Sequence, residues 1–517
     1  MTLRADGPSL GDMRRSLIAA VVVLTAFATS CTDSGVHNVT GGASGSTTSA
    51  DGATDDTTVG SSGFDWTPSG DNDRVETGYL QVPRDYSDPS KGTFDLYLAR
   101  HLADPSMRIG SLLVNPGGPG FGGSDFAVSA DAIYGQSILD HFDIIGWDPR
   151  GTGLSTPAID CTADYDHFYA SSDITPDTSA ERQYMVDLAE EFAAECVKNN
   201  ADIIDYIGTN NSARDMDAIR RALGEDTISY FGFSYGSELG AAWATLFPDT
   251  VRAAVLDGAA DPSASYIESG LQQMQGFEDT FSSYLAGCSA DNECAFHNDG
   301  NAEGAFDALM KQLDTKPIPS AEGRPDVNLQ VAVTAASQAM YSDSLWPILS
   351  DSLASAQKGD GSGLLNLYDM YYQRTADGSY SNELEAFQTI FCMDDSERLT
   401  VAEEDATVTD VLNVAPRLAP GTTGSYFCTF FPKSSDPRVA ITGKGAGPIL
   451  VMGTTGDPAT PLSSTKAMAA ALQDGRLVIV TANQHTGYGV NQCSSDVIEQ
   501  YLVDPVKNAP KNGTECK

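Results

Sequence analysis

The sequence predicts an α/β fold, a mostly parallel central sheet flanked by helices, with a large and mainly helical cap inserted late in the chain. Three observations carry that expectation. Predominantly apolar runs at residues 109–115, 141–147, 252–256, 448–453 and 476–481 have the length of strands buried on both faces of a parallel sheet. Apolar residues at helical spacing intervene, as at residues 212–223, so strands and helices alternate. From residue 262 to about 440 the strand runs stop, Tyr, Met, Gln and Leu recur at mixed spacing, and the strand pattern then resumes.

Taken in order, the chain begins with an export signal. Arg14 and Arg15 form a positive region, residues 17–27 are an apolar stretch too short to span a bilayer comfortably, and small residues follow up to Cys31. Met13 is an alternative start. Two cleavages are open: Ala26-Phe27-Ala28 suits ordinary secretion, whereas Ala28-Thr29-Ser30-Cys31 resembles a bacterial lipobox that would leave Cys31 lipidated at the cell surface. Residues 32–63 are Gly, Ser, Thr and Asp with almost nothing apolar, which reads as a flexible tether. The core is expected over 64–261 and 441–517, with the cap over 262–440.

At 517 residues, 41% of them hydrophobic, the chain has enough apolar material for a sizeable core. Its 71 acidic against 30 basic residues, a formal net charge of −41, argue against nucleic acid or an anionic membrane surface as partner. Membrane contact would come only through a lipid on Cys31. Nine cysteines become an even eight once Cys31 is set aside, and in an exported chain these read as disulfides. Neighbours in order share a segment, so Cys161 with Cys196, Cys288 with Cys294, Cys392 with Cys428, and Cys493 with Cys516 is the expected pairing. The Cys and His spacings match no zinc pattern, and neither metal nor cofactor is called for.

Residues 76–82 and 93–100 alternate like two antiparallel strands. The strand at 109–115 runs into Asn115-Pro116-Gly117-Gly118-Pro119-Gly120-Phe121-Gly122-Gly123, which lacks the lysine and spacing of a phosphate cradle. Bare backbone N–H groups also suit an oxyanion hole, with Gly118 as one donor. The second glycine motif is Gly232-Phe233-Ser234-Tyr235-Gly236, between the β-rich residues 228–231 and a helical stretch at 239–247. Strand, Gly-x-Ser-x-Gly and helix in succession form a nucleophile elbow, in which small residues two before and two after the serine avoid collision. Ser234 is the expected nucleophile and the Tyr235 N–H the second oxyanion donor.

Such an α/β-hydrolase arrangement requires an acid and then a histidine downstream. Of six histidines, His37 lies in the tether, His101, His141 and His167 precede Ser234, and His297 falls in the cap. His485 remains, in a loop just past a strand. Asp457 occupies the loop after the preceding strand, with Asp474 and Asp436 as substitutes, and Thr460 either orients Asp457 or caps a helix. This triad gives acyl transfer to water without choosing peptide or ester.

Residues 115–120 look like the oxyanion loop of proline iminopeptidases. The signal and tether, Val82-Pro83-Arg84-Asp85-Tyr86, the glycine loop, Asp148-Pro149-Arg150-Gly151-Thr152-Gly153, the helix at 212–223, the elbow, Ile390-Phe391-Cys392-Met393-Asp394, residues 456–461 and His485 together resemble the actinobacterial secreted tripeptidyl aminopeptidases. The resemblance spans essentially the whole mature chain. It implies a serine exopeptidase that takes peptides with a free N-terminus, releases short N-terminal peptides and limits access through its cap; the sequence does not fix an oligomeric state, and a monomer is favoured. Asp394, in the family's Cys-x-Asp position, is the expected holder of the substrate's ammonium, with Asp395 and Glu238 behind it. His485 departs from the family pattern in lacking a Gly-His-Gly setting, and the net charge is unusually negative. A carboxylic esterase or amidase with the same triad, and a silent surface binding protein, are the competing readings.

Overall fold

The computed structural model describes residues 64–70, 72–420 and 426–517. The signal, Cys31 and the tether lie outside the described residues. Ten strands form one sheet: β1 (Thr67–Pro68), β2 (Val75–Pro83), β3 (Thr93–His101), β4 (Gly110–Asn115), β5 (Phe142–Trp147), β6 (Ile228–Phe233), β7 (Val251–Asp257), β8 (Ile449–Thr454), β9 (Gly475–Val480) and β10 (Thr514–Cys516). Their spatial order is β1-β2-β3-β5-β4-β6-β7-β8-β9-β10. The first strands pair antiparallel, β1 with β2, β2 with β3 and β3 with β5, and every pair from β5 to β10 is parallel. The expected parallel core and antiparallel start are both present. The short outer strands β1 and β10 were not read from sequence, having two and three residues and no apolar run.

Alternation of side chains explains why the central strands are apolar throughout. Leu113, Ile145, Tyr230, Leu256 and Val451 enter one hydrophobic cluster, while their neighbours Leu112, Ile144, Phe231, Val255 and Leu450 enter another on the opposite face. Every residue of β4, β5, β6 and β8 is buried. Helices Thr209–Ala222 and Tyr235–Leu246 pack on the first face, where Met216, Ile219, Leu239 and Trp243 join that cluster.

Between β7 and β8 the described chain is helical, from Tyr266–Ala290 through Leu329–Met340 to Glu383–Met393 and Val408–Val414. Its residues Phe281, Phe306, Leu309, Leu349, Leu353 and Tyr368 form a second core, which Tyr165 and Ala170 from the segment between β5 and β6 also join. The four cysteine pairs expected from sequence are bonded as expected. The long helix Ser179–Asn199, which sequence reading passed over, opens with a reciprocal Thr178 and Glu181 capping box.

Three of the motifs behind the family resemblance meet in one buried knot. Arg150 and Asp215 are fully buried, and the guanidinium donates from Nε to Oδ2 at 2.8 Å and from Nη2 to Oδ1 at 2.6 Å. Its Nη1 donates to the Arg84 carbonyl at 2.9 Å, and the Tyr86 hydroxyl donates to Asp215 Oδ1 at 2.7 Å. The planar fork of arginine satisfies carboxylate and carbonyls at once, which lysine does not. Removing one partner strands a buried charge, so Arg150→Ala should lower unfolding stability by about 3–5 kcal/mol in denaturant titration. Arg150→Lys should recover only part of that loss.

Candidate active site

Ser234 stands between β6 and the helix Tyr235–Leu246, with φ 55° and ψ −125°. A side-chain-bearing residue held there costs about 1–3 kcal/mol, which the surrounding contacts must supply. The elbow glycines are required by close approach: a Cβ on Gly232 would fall 2.5 Å from the Tyr230 hydroxyl, and one on Gly236 would fall 2.9 Å from the Asn115 carbonyl. The glycine loop after β4 packs directly against this turn. Gly117 has φ +106°, and a Cβ there would lie 2.8 Å from Ser234 Cβ. Asn115 Oδ1 accepts the Gly117 N–H at 2.9 Å and fixes the loop's start. Gly118 follows with its own positive φ of +102°. Tyr235, as the first residue of its helix, has an N–H without an intrahelical acceptor.

Asp457 follows β8 and His485 follows β9, each one loop beyond a strand end. His485 Nδ1 lies 2.8 Å from Asp457 Oδ1 and 3.0 Å from Oδ2. The carboxylate is oriented by backbone: Oδ1 accepts the N–H groups of Ala459 at 3.0 Å and Thr460 at 2.8 Å, and Oδ2 accepts that of Thr486 at 3.2 Å. Thr460 thus contacts the acid through its amide and places its hydroxyl 3.3 Å from His485 Nδ1. The following helix Leu462–Ala471 has Pro461 at its N-cap, so Thr460 is not its cap. His485 Nε2 is buried and has no hydrogen-bond partner among the described residues. The substitutes for the acid are engaged elsewhere, Asp474 with Arg476 at 2.6 Å and Asp436 with Arg214 at 2.6 Å.

Two residues that sequence reading did not single out join these parts. The Asp257 carbonyl accepts the Ser234 N–H at 2.8 Å. Its buried carboxylate accepts the N–H of Gly487 at 2.7 Å and of Tyr488 at 2.8 Å, so one residue holds both the elbow and the histidine loop. Its only sequence signal was its position ending the β7 run. Tyr341, from the helical insertion, accepts the His485 N–H on its carbonyl at 3.1 Å and packs its ring edge-on to the imidazole at 5.8 Å. Nothing in the local pattern marks that contact.

The carboxylates expected to meet an ammonium have protein partners. Asp394 accepts the Thr209 N–H at 2.6 Å and its hydroxyl at 2.5 Å, and Thr209 Oγ1 also lies 2.5 Å from the Tyr235 hydroxyl. Burial pushes the Asp394 carboxyl up to about 7, although the Thr209 bonds oppose that rise. Glu238 is paired with Arg438. Asp395 accepts the Glu397 N–H at 2.8 Å and is partly exposed.

A family model described as alpha/beta hydrolase fold matches residues 110–492. A protein named Serine protease Hip1 from Mycobacterium tuberculosis (strain ATCC 25618 / H37Rv) is 34% identical over 479 residues, covering 87% of this chain and 90% of that one. Carboxylesterase B from the same strain is 38% identical over 437 residues, covering 82% and 83%. Tripeptidyl aminopeptidase of Streptomyces coelicolor is 29% identical over 444 residues, covering 83% and 81%. By family model, strand order and relatives, the chain belongs to the alpha/beta hydrolase fold family and is homologous within it to a serine protease and a tripeptidyl aminopeptidase of actinobacteria.

Proposed function

We propose that this chain is an exported serine peptidase of the tripeptidyl aminopeptidase type, releasing short N-terminal peptides through an acyl-enzyme. The observation that carries the reading is the 2.8 Å contact of His485 Nδ1 with Asp457 on loops beside an elbow that strains Ser234. Ser234 Oγ attacks the scissile carbonyl carbon and gives its proton to His485 Nε2. The resulting oxyanion is held by N–H groups near Gly118 and at Tyr235. Collapse expels the shortened peptide's amine, which takes the proton from His485. Water then attacks the ester with His485 again as base, and Ser234 leaves with the proton returned. Asp457 keeps the imidazole oriented and stabilises its cation.

Four disulfides suit an oxidising compartment, and we place the protein at the cell surface, lipidated at Cys31. Among the described residues no helix is long and apolar enough to cross a membrane. The 38% identity to a protein named Carboxylesterase B supports an esterase as the second reading. A fluorophosphonate should label Ser234, and Ser234→Ala should abolish both labelling and turnover of a tripeptidyl amide with the fold retained. A folded protein that is neither labelled nor active would instead be a surface binder. Comparing free with N-acetylated tripeptidyl amides separates the enzymes: preference for the free amine is expected, and equal rates beside fast ester cleavage would establish the esterase.

The pH profile follows from the two buried acids around the histidine. Burial draws the His485 pKa down, but the charge and hydrogen bond of Asp457, with a further contribution from the Asp257 charge, leave it above the ordinary 6.5. Because only neutral His485 accepts a proton, kcat/KM should fall on acidification with a midpoint above 6.5. Burial pushes Asp257 itself up to about 7, with the Gly487 and Tyr488 amides and the His485 charge opposing and Asp457 adding, so the acidic limb belongs to the coupled set. Asp257→Asn removes a negative charge that favours imidazolium, and the limb should move to lower pH. Loosening the histidine loop should also reduce kcat/KM by about 10–100-fold. A rate loss with an unmoved limb would reduce Asp257 to a scaffold.

A further inference from the structure

The first turn of the elbow helix Tyr235–Leu246 is held one residue at a time. Ser234 accepts the Ser237 N–H on its carbonyl at 2.8 Å, Gly236 accepts the Tyr230 hydroxyl at 2.7 Å, and Glu238 is paired with Arg438. Tyr235 is held through its side chain. It is buried, and its hydroxyl lies 2.5 Å from Oγ1 of the fully buried Thr209. Thr209 in turn donates its hydroxyl to Asp394 Oδ2 at 2.5 Å and its N–H to Oδ1 at 2.6 Å. A hydroxyl has one proton to give. Because that of Thr209 goes to the carboxylate, that of Tyr235 goes to Thr209, and the chain from Tyr235 through Thr209 to Asp394 has one direction. Room for the carboxylate comes from Gly208, where a Cβ would lie 3.1 Å from Asp394 Oδ1. The Asp394 carbonyl accepts the Arg438 N–H at 2.9 Å, which joins this chain to the partner of Glu238.

Two roles are open to such an aspartate. As a cap, it would only satisfy the first N–H of the helix Thr209–Ala222. The Tyr235 hydroxyl goes beyond that role, since a cap has no need of it. What the hydroxyl governs follows from the peptide plane between Ser234 and Tyr235, which carries the Ser234 carbonyl and the Tyr235 N–H rigidly together. Ser237 holds the carbonyl end, and the anchored Tyr235 side chain holds the Cα at the other. That N–H is the oxyanion donor expected beside the nucleophile, and such a donor works only when its aim at the developing charge is fixed beforehand.

We propose that Asp394 is a positioning residue for the oxyanion hole: through Thr209 it fixes Tyr235, and thereby the Tyr235 N–H that receives the oxyanion. The assignment rests on the reading of Ser234 as nucleophile and holds for peptide and ester alike. It puts the end of the helix Glu383–Met393 at the service of the transition state. The test uses the full chain, on the alkaline side of the value of about 7 to which burial raises Asp394, so that the carboxylate is ionised. The constants kcat and KM are measured for the better of a tripeptidyl amide and its ester, beside inhibition by the matching peptide aldehyde, whose Ser234 adduct places an oxygen where the oxyanion forms. The variants are Asp394→Asn, Thr209→Val, Thr209→Ser and Tyr235→Phe, with Glu404→Gln, a buried carboxylate beside Asp405, as control and near-UV circular dichroism for the fold. Asp394→Asn keeps an oxygen for the Thr209 N–H but reverses the hydroxyl chain, and Tyr235→Phe leaves the cap intact. Asp394→Asn, Thr209→Val and Tyr235→Phe should each lower kcat by about 10–100-fold with KM nearly unchanged, and weaken the aldehyde in proportion to kcat/KM. Glu404→Gln should do neither, and Thr209→Ser, which keeps the hydroxyl, should recover most of the loss seen in Thr209→Val. Asp394→Asn combined with Tyr235→Phe should be no slower than the slower single variant, since both break one chain. A folded Tyr235→Phe protein with wild-type kcat overturns the proposal and leaves Asp394 a cap. A loss confined to KM overturns it in favour of a substrate contact. A wild type that turns over neither compound overturns the reading of the elbow itself.

Discussion

The site depends on a buried aspartate that joins two pieces of chain far apart in sequence. Asp257 receives the Ser234 N–H on its carbonyl and the Gly487 and Tyr488 N–H groups on its carboxylate, the last contacts bridging 230 residues. A backbone amide buried without an acceptor costs about as much as a lost hydrogen bond, so these amides hold the histidine loop wherever the carboxylate stands. Because Asp257 ends β7 in the middle of the parallel sheet, its position is set by ladders to β6 and β8. The sheet therefore sets where Ser234 and the His485 loop stand, and the loops inherit that placement.

The helical insertion leaves the core after β7 and returns before β8, yet it is fastened to the site rather than merely lying over it. Tyr341 accepts the His485 N–H, Ser342 bridges Gln484, and the start of the Glu383 helix closes on Gly120. Those contacts reach His485 and the far end of the glycine loop. The insertion thus helps to position the imidazole as well as the glycine loop.

Much of this was legible because each feature leaves a short-range trace. Buried parallel strands are apolar without alternation, the elbow must be Gly-x-Ser-x-Gly to avoid collision, and chain order then selects His485 among six histidines. Cysteine pairs within one segment likewise followed from proximity along the chain. What stayed hidden depends on contacts between distant residues. Asp257 looks like any strand-ending aspartate, Tyr341 like any helix terminus, and β10 is three residues recruited by pairing with β9. The Arg150 motif was visible as a motif, but only packing shows that it serves Asp215 and the carbonyls near Tyr86.

The acidic residues around the elbow illustrate the same divide in electrostatic terms. In a chain with 71 acidic residues, position near the nucleophile says little about which carboxylate is available to a ligand. Asp394 and Glu238 are close to the elbow in sequence or motif, but Thr209 donates two hydrogen bonds to the one and Arg438 forms an ion pair with the other. A carboxylate whose hydrogen bonds and counter-charge come from the protein gains little by meeting an ammonium, since the guest must displace what is there.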